Sequence, residues 1–111
     1  MTDSEFEALA GGTFAAIESA IDAAAGTADI DLDLQMKPGG VLEVEFADGS
    51  KIIVNRQAPM REIWVAARSG GFHFRREGER WVDTRDGGEL FAALSRLVSA
   101  QSGAAVILAP R

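Results

Sequence analysis

The sequence predicts an α+β fold: a two-layer α/β sandwich in which an antiparallel sheet of about six strands carries an N- and a C-terminal helix on one face. Three observations predict it. Apolar residues recur at helical spacing at both ends of the chain, six short β-rich runs lie between them, and tight-turn residues separate those runs. Turns that short force successive strands antiparallel. The helices must then cover one face of the meander and leave the other open. The 111 residues suit one core, read as a single domain over residues 1–111.

The first helix opens on Ser4 and Glu7, spaced as a capping box, and continues through Phe6, Leu9, Ala10, Thr13, Ile17, Ile21 and Ala24 at three- and four-residue steps. Gly11 and Gly12 weaken it by roughly 1 kcal/mol each relative to Ala, and Gly26 is the expected stop. Glu7, Glu18 and Asp22 fall within a narrow arc on the polar side. From Asp29 to Met36 the period becomes two, predicting a half-buried strand with Asp29, Asp31 and Asp33 on its open side. Pro38-Gly39-Gly40 turns the chain into Val41–Phe46, whose Leu42, Val44 and Phe46 point inward and whose Glu43 and Glu45 point outward. Ala47-Asp48-Gly49-Ser50 makes a hairpin of that run with Lys51–Asn55. Three further runs, Glu62–Ala67, Phe72–Glu77 and Arg80–Asp83, follow Pro59, Gly70-Gly71 and Gly78. Asp86 and Glu89 resemble a capping pair ahead of the apolar stripe Leu90, Phe91, Leu94, Leu97 and Val98, with Gly103 at the end. The tail Ala105–Leu108 is too apolar to be left in water, so it should pack on the domain.

Composition excludes several functions. The chain has no Cys and a single His, so disulfides, thiolate metal sites, thiol catalysis and multi-histidine sites are ruled out. No apolar run reaches the roughly 18 residues that cross a bilayer. No basic segment followed by an apolar stretch opens the chain, so a cytoplasmic, soluble protein with no membrane partner is expected. The net charge of -6 is uneven: residues 1–50 carry eleven acids and one base, residues 51–111 six acids and ten bases. The acidic half argues against nucleic acid and for cations or basic protein surfaces. His73 alternates with Phe72 and Phe74 in a strand and reads as structural. The paired glycines lack the context of a phosphate loop.

Two surfaces remain as candidates. Asp29, Asp31 and Asp33 recur every second residue, about 6.5–7 Å apart, too far for all three to grip one ion. Glu18 and Asp22 lie one helical turn apart. Oxygen-only donors favour hard cations held weakly at several points, without selecting the metal; the same acids also read as solvated charge on a helix and an edge strand. The second surface is the open sheet face, where Trp64 would lie near Asn55, Arg56 and Gln57 in the composition of an interface anchor. Trp81 reads equally as surface or core.

The run Asp48-Gly49-Ser50-Lys51-Ile52-Ile53-Val54-Asn55-Arg56-Gln57, with Pro59, Glu62-Ile63-Trp64-Val65-Ala66 and Gly70-Gly71-Phe72-His73-Phe74, closely resembles the central signature of bacterial frataxins of the CyaY type. The resemblance extends to Ser4-Glu5-Phe6, Ile17-Glu18, Asp29-Ile30-Asp31, Trp81 and the closing helix, nearly the whole chain. It implies weak binding of ferrous and ferric iron on an acidic ridge, here Glu18, Asp22, Asp29, Asp31 and Asp33, with Glu7 a further candidate. It also implies docking on cysteine desulfurase and the iron–sulfur scaffold protein, as an iron-dependent regulator or iron donor, with Asn55, Arg56, Gln57 and Trp64 as the open-sheet surface. No catalytic residue follows; an iron-storage or ferroxidase-type role is the alternative. A monomer is expected, with oligomers open to it in the presence of iron. Ser19, Ala23, Ala25 and Thr27 stand where such proteins often carry further acids, which implies fewer ions and weaker affinity.

Overall fold

The computed structural model describes residues 1–110. In chain order the elements are α1 (Asp3–Ala28), β1 (Leu32–Lys37), β2 (Val41–Phe46), β3 (Lys51–Gln57), β4 (Glu62–Ala67), β5 (Gly70–Glu77), β6 (Arg80–Asp83) and α2 (Leu90–Ser102). The six strands form one sheet in the order of the chain, and every neighbouring pair is antiparallel. Strand alternation gives the sheet two faces. Leu42, Val44, Phe46, Ile52, Val54, Ile63, Val65, Phe74 and Trp81 are buried against Phe6, Phe14, Ile17 and Ile21 of α1 and Leu90, Leu94 and Val98 of α2. Both helices therefore cover one face, as predicted.

The ends of the elements depart from expectation for identifiable reasons. Thr2, not Ser4, caps α1: its Oγ1 accepts from Glu5 N (3.1 Å) while Glu5 Oε1 accepts from Thr2 N (2.8 Å). Thr2-Asp3-Ser4-Glu5 satisfies the same spacing, and the earlier start brings Asp3 and Glu5 into the first turn, where the helix N-terminus favours acids. The hydrogen-bonded Thr2 backbone holds the Glu5 carboxyl below its ordinary range. At the other end α1 continues through Gly26 to Ala28, because packing of Ala24 and Ala28 on the core outweighs the modest cost of an interior glycine. The helix stops at Asp29, which takes the left-handed conformation (φ 54, ψ 48) and donates its N–H to Ala25 O. β1 accordingly starts at Leu32, so Asp29 and Asp31 precede the strand on which the alternation placed them.

α2 is capped by Glu89 alone, whose carboxylate accepts from Phe91 N (2.8 Å) and Ala92 N (3.0 Å). Asp86 instead closes the preceding turn by accepting from Gly88 N (2.8 Å). Gln101, buried near the end of α2, accepts from Arg68 N and donates to Ser50 Oγ, each at 3.0 Å; it ties the helix to the ends of β3 and β4. The tail packs as expected for alternate residues. Val106 and Leu108 are buried while Ile107 is exposed, and Val106 N and Leu108 N donate to Ser99 Oγ (2.9 Å) and Ser95 Oγ (2.8 Å). Trp81 is core: its indole meets Phe6 edge-on, and Nε1 donates to Thr13 Oγ1 at 2.8 Å.

Candidate functional site

The acids sort themselves by whether a cation neutralises them. Asp3 pairs with Arg61 (3.1 Å), Glu7 with Arg56 (2.7 Å), Glu43 with Lys51 (2.9 Å) and Asp48 with Arg68 (3.0 Å). Among the described residues, Glu18, Asp22, Asp29, Asp31, Asp33 and Glu45 form no salt bridge, and neither do Glu5, Glu79, Asp83, Asp86 and Glu89 elsewhere. Five of the six ridge candidates are thus uncompensated. Glu7, the sixth, is bound to a cation and lies eleven residues, about 16 Å, along α1 from Glu18.

Asp31 and Asp33 are brought together with Glu45, a residue absent from the candidate ridge. The three line an open cleft of ≈ 260 Å³ with Phe46 and Ala47. Asp33 and Glu45 are direct cross-strand partners, an arrangement that costs stability when both are charged. Lys51 also faces Glu45 in register, but its ammonium bonds Glu43. That bond holds the Glu43 carboxyl below and the Lys51 amine above their ordinary values. Glu45 was legible in principle: a three-residue turn at Pro38–Gly40 sets Lys37 opposite Val41, which counts back to Asp33 opposite Glu45.

Helix polarity reinforces this end of the molecule. Asp31 also lines a second cleft with Gln101, Ser102 and Gly103 at the end of α2, and α1 ends in the adjoining segment. Both helix C-termini, with their partial negative charge, therefore point to the acidic end, and neither last turn contains a basic residue. Glu18 and Asp22 are exposed on α1, one turn apart, apart from the strand acids. Among the described residues no three His, Cys, Asp or Glu side chains converge as an enclosed metal site. The donors are arranged for open, multi-point contact with hard cations.

The open sheet face presents Asn55, Trp64 and His73 in register across β3, β4 and β5, beside a second row of Gln57, Glu62 and Arg75. Trp64 is half-buried, stacks on the His73 ring (centroids 4.1 Å apart, planes 9° from parallel) and donates from Nε1 to Glu62 Oε1 at 2.8 Å. Arg56 does not belong to this face. It pairs in register with buried Ile63, so it points toward the helices, where its guanidinium lies 4.7 Å over the Phe14 ring. Gly40 has φ +72, a conformation that strains other residues, and a Cβ there would stand 2.8 Å from Arg56 Nε, so the β1–β2 turn closes over that guanidinium on a glycine. Strand parity carries this correction: Arg56 shares the side of Ile52 and Val54, while Asn55 and Gln57 share the other.

A sandwich of helix, six-stranded sequential meander and helix, with charge concentrated at one end and an aromatic on the bare sheet face, is the architecture of the frataxin-like proteins. The family model described as Frataxin-like domain matches residues 1–104, and the chain belongs to that family. It is 61% identical over 108 residues to the iron-sulfur cluster assembly protein CyaY of Cupriavidus pinatubonensis, covering 97% of this chain and 96% of that one. It is 57% identical to the CyaY of Dechloromonas aromatica, covering 97% and 99%. Among solved structures, frataxin from Psychromonas ingrahamii superimposes with a TM-score of 0.80 at 31% identity, covering 96% and 97%. Trimeric frataxin from Saccharomyces cerevisiae, complexed with ferrous iron, shares the fold with a TM-score of 0.73 at 23% identity over 86% of each chain.

Proposed function

We propose that this chain is an iron-binding protein of iron–sulfur cluster assembly, acting as an iron-dependent regulator or iron donor by docking on cysteine desulfurase and on the scaffold protein. The observation that carries the reading is the placement of the candidate acids: those on the C-terminal half of α1 and around the start of β1 lack cationic partners, whereas Glu7, near the other end of α1, has one. In this reading Glu18, Asp22, Asp29, Asp31 and Asp33, joined by Glu45, collect ferrous or ferric iron weakly and meet a basic partner surface. Asn55, Gln57 and Trp64 contact the scaffold. The names of the CyaY relatives and the ferrous complex of yeast frataxin support it. Storage or ferroxidase chemistry is disfavoured, since the oxygen donors are spread along an open surface and not gathered around one centre.

Anaerobic ferrous titration followed by NMR tests the proposal. Amides of α1 from Glu18 onward and of residues 29–33 and 45 are expected to respond in fast, multi-site fashion, while Glu7 and its neighbours stay silent. Replacing Asp31, Asp33 and Glu45 by Asn, Asn and Gln should weaken ferrous binding several-fold. Trp64→Ala should leave it unchanged and weaken the complex with desulfurase and scaffold. Tight stoichiometric binding away from these residues would refute the reading.

A further inference from the structure

We propose that His73 is a positioning residue for Trp64 and makes the open sheet face respond to pH; its consequence for docking rests on the function proposed above. The imidazole lies flat on the indole, and its Nδ1 is 4.0 Å from the Glu62 oxygen that accepts the indole N–H. One carboxylate therefore faces both rings. Histidine is the side chain that ordinarily changes charge between pH 5 and 8, and this chain has one. A proton on His73 turns a neutral ring stack into an imidazolium held between a π face and a carboxylate.

The surrounding charges set the balance. Glu62, on β4, attracts the imidazolium and is largely shielded from water, with its side chain 14% exposed. Arg75, on the same face of β5, opposes it but is engaged by Glu77 at 3.4 Å. Arg85, beyond β6, donates to Gly71 O and lies over the Phe72 ring, 5.6 Å from its centroid. β3 contributes only the neutral Asn55 and Gln57 opposite this row. Attraction comes from the more buried partner, and Arg75 is already engaged, so acidification should tighten the stack and hold the indole in one orientation. A pre-organised aromatic anchor loses less freedom on docking.

The test follows the indole N–H resonance of Trp64 in the full chain from pH 5 to 8, with the Trp81 indole, bonded to Thr13 in the core, as internal reference. The Trp64 signal is expected to move along a one-proton curve that His73→Phe, which keeps a ring against the indole, and His73→Gln both abolish. Docking on desulfurase and scaffold should be roughly two- to five-fold tighter at pH 6 than at pH 8 relative to the His73→Phe variant. A Trp64 signal that stays flat, or moves equally in both His73 variants, overturns the proposal, as does docking with the same pH dependence as the His73→Phe variant. If Trp64→Ala leaves docking intact while the indole still follows His73, the docking face proposed above is wrong and the titrating stack stands.

Discussion

Asp29 carries two costs at once. It adopts a left-handed backbone that side chains other than glycine disfavour, and it places a carboxylate against the negative end of α1. Asp29→Gly should therefore stabilise the fold by about 0.5–1 kcal/mol, read as a rise in Tm of about 2–5 °C. The same change should lower ferrous affinity. A fall in Tm would show that the carboxylate makes a compensating contact and would remove the argument that it is retained at a cost. The residue type and the surplus of acids here were visible in the sequence. The backbone state was not, because alternation through Asp29, Ile30, Asp31 and Leu32 imitates a strand that the helix cap in fact interrupts.

At the scale of elements, Arg56 joins three pieces: β3 on which it sits, α1 through Glu7 and Phe14, and the β1–β2 turn through Gly40. Its Nε is buried with no protein partner, so the contact works by packing of a flat cation as much as by the ion pair. Arg56→Ala should cost about 1–2 kcal/mol, seen in chemical denaturation, with ferrous binding unchanged because the acidic cleft lies at the opposite end of the sheet. Glu7→Gln should cost under about 1 kcal/mol, as Glu7 is half exposed; a larger loss than that from Arg56→Ala would contradict the packing argument. Strand number, order and inward faces were all legible, since Leu42/Val44/Phe46 and Ile52/Val54 alternate without interruption. Arg56 sits between Asn55 and Gln57 in sequence, but strand parity puts it on the opposite face, beside Ile52 and Val54. Glu45 is less legible, because a carboxylate on β2 joins the site only through the register with β1.

Over the whole molecule, Asp29, Asp31, Asp33 and Glu45 lie at the end of the sheet to which both helix C-termini point. Arg56, Arg61 and Arg75 lie toward the opposite end, where Gln57 and Glu62 align. Such polarity orients encounters with a charged partner and weakens with salt. The ion pairs also fix the response of stability to pH. Glu5, Glu43 and Asp48 have depressed carboxyl values, the last through its hydrogen bonds with Ser50. Their contribution is full above the unfolded range, about pH 4, and is lost as pH falls through the folded values. Lys51 is raised by Glu43, so its contribution holds below about pH 10 and is lost as pH climbs through the folded value. Tm should fall outside these limits, and Glu43→Gln should soften both limbs; a Tm that keeps rising below about pH 4 would contradict the assignment. The sequential order of the sheet has a further consequence for biosynthesis. Each hairpin can zip as soon as its second strand is made, yet α1, made first, is sealed only when Trp81 of β6 reaches Phe6 and Thr13. Until then a nascent chain displays an oily helix beside a growing sheet, and that interval is when chaperones have most to hold.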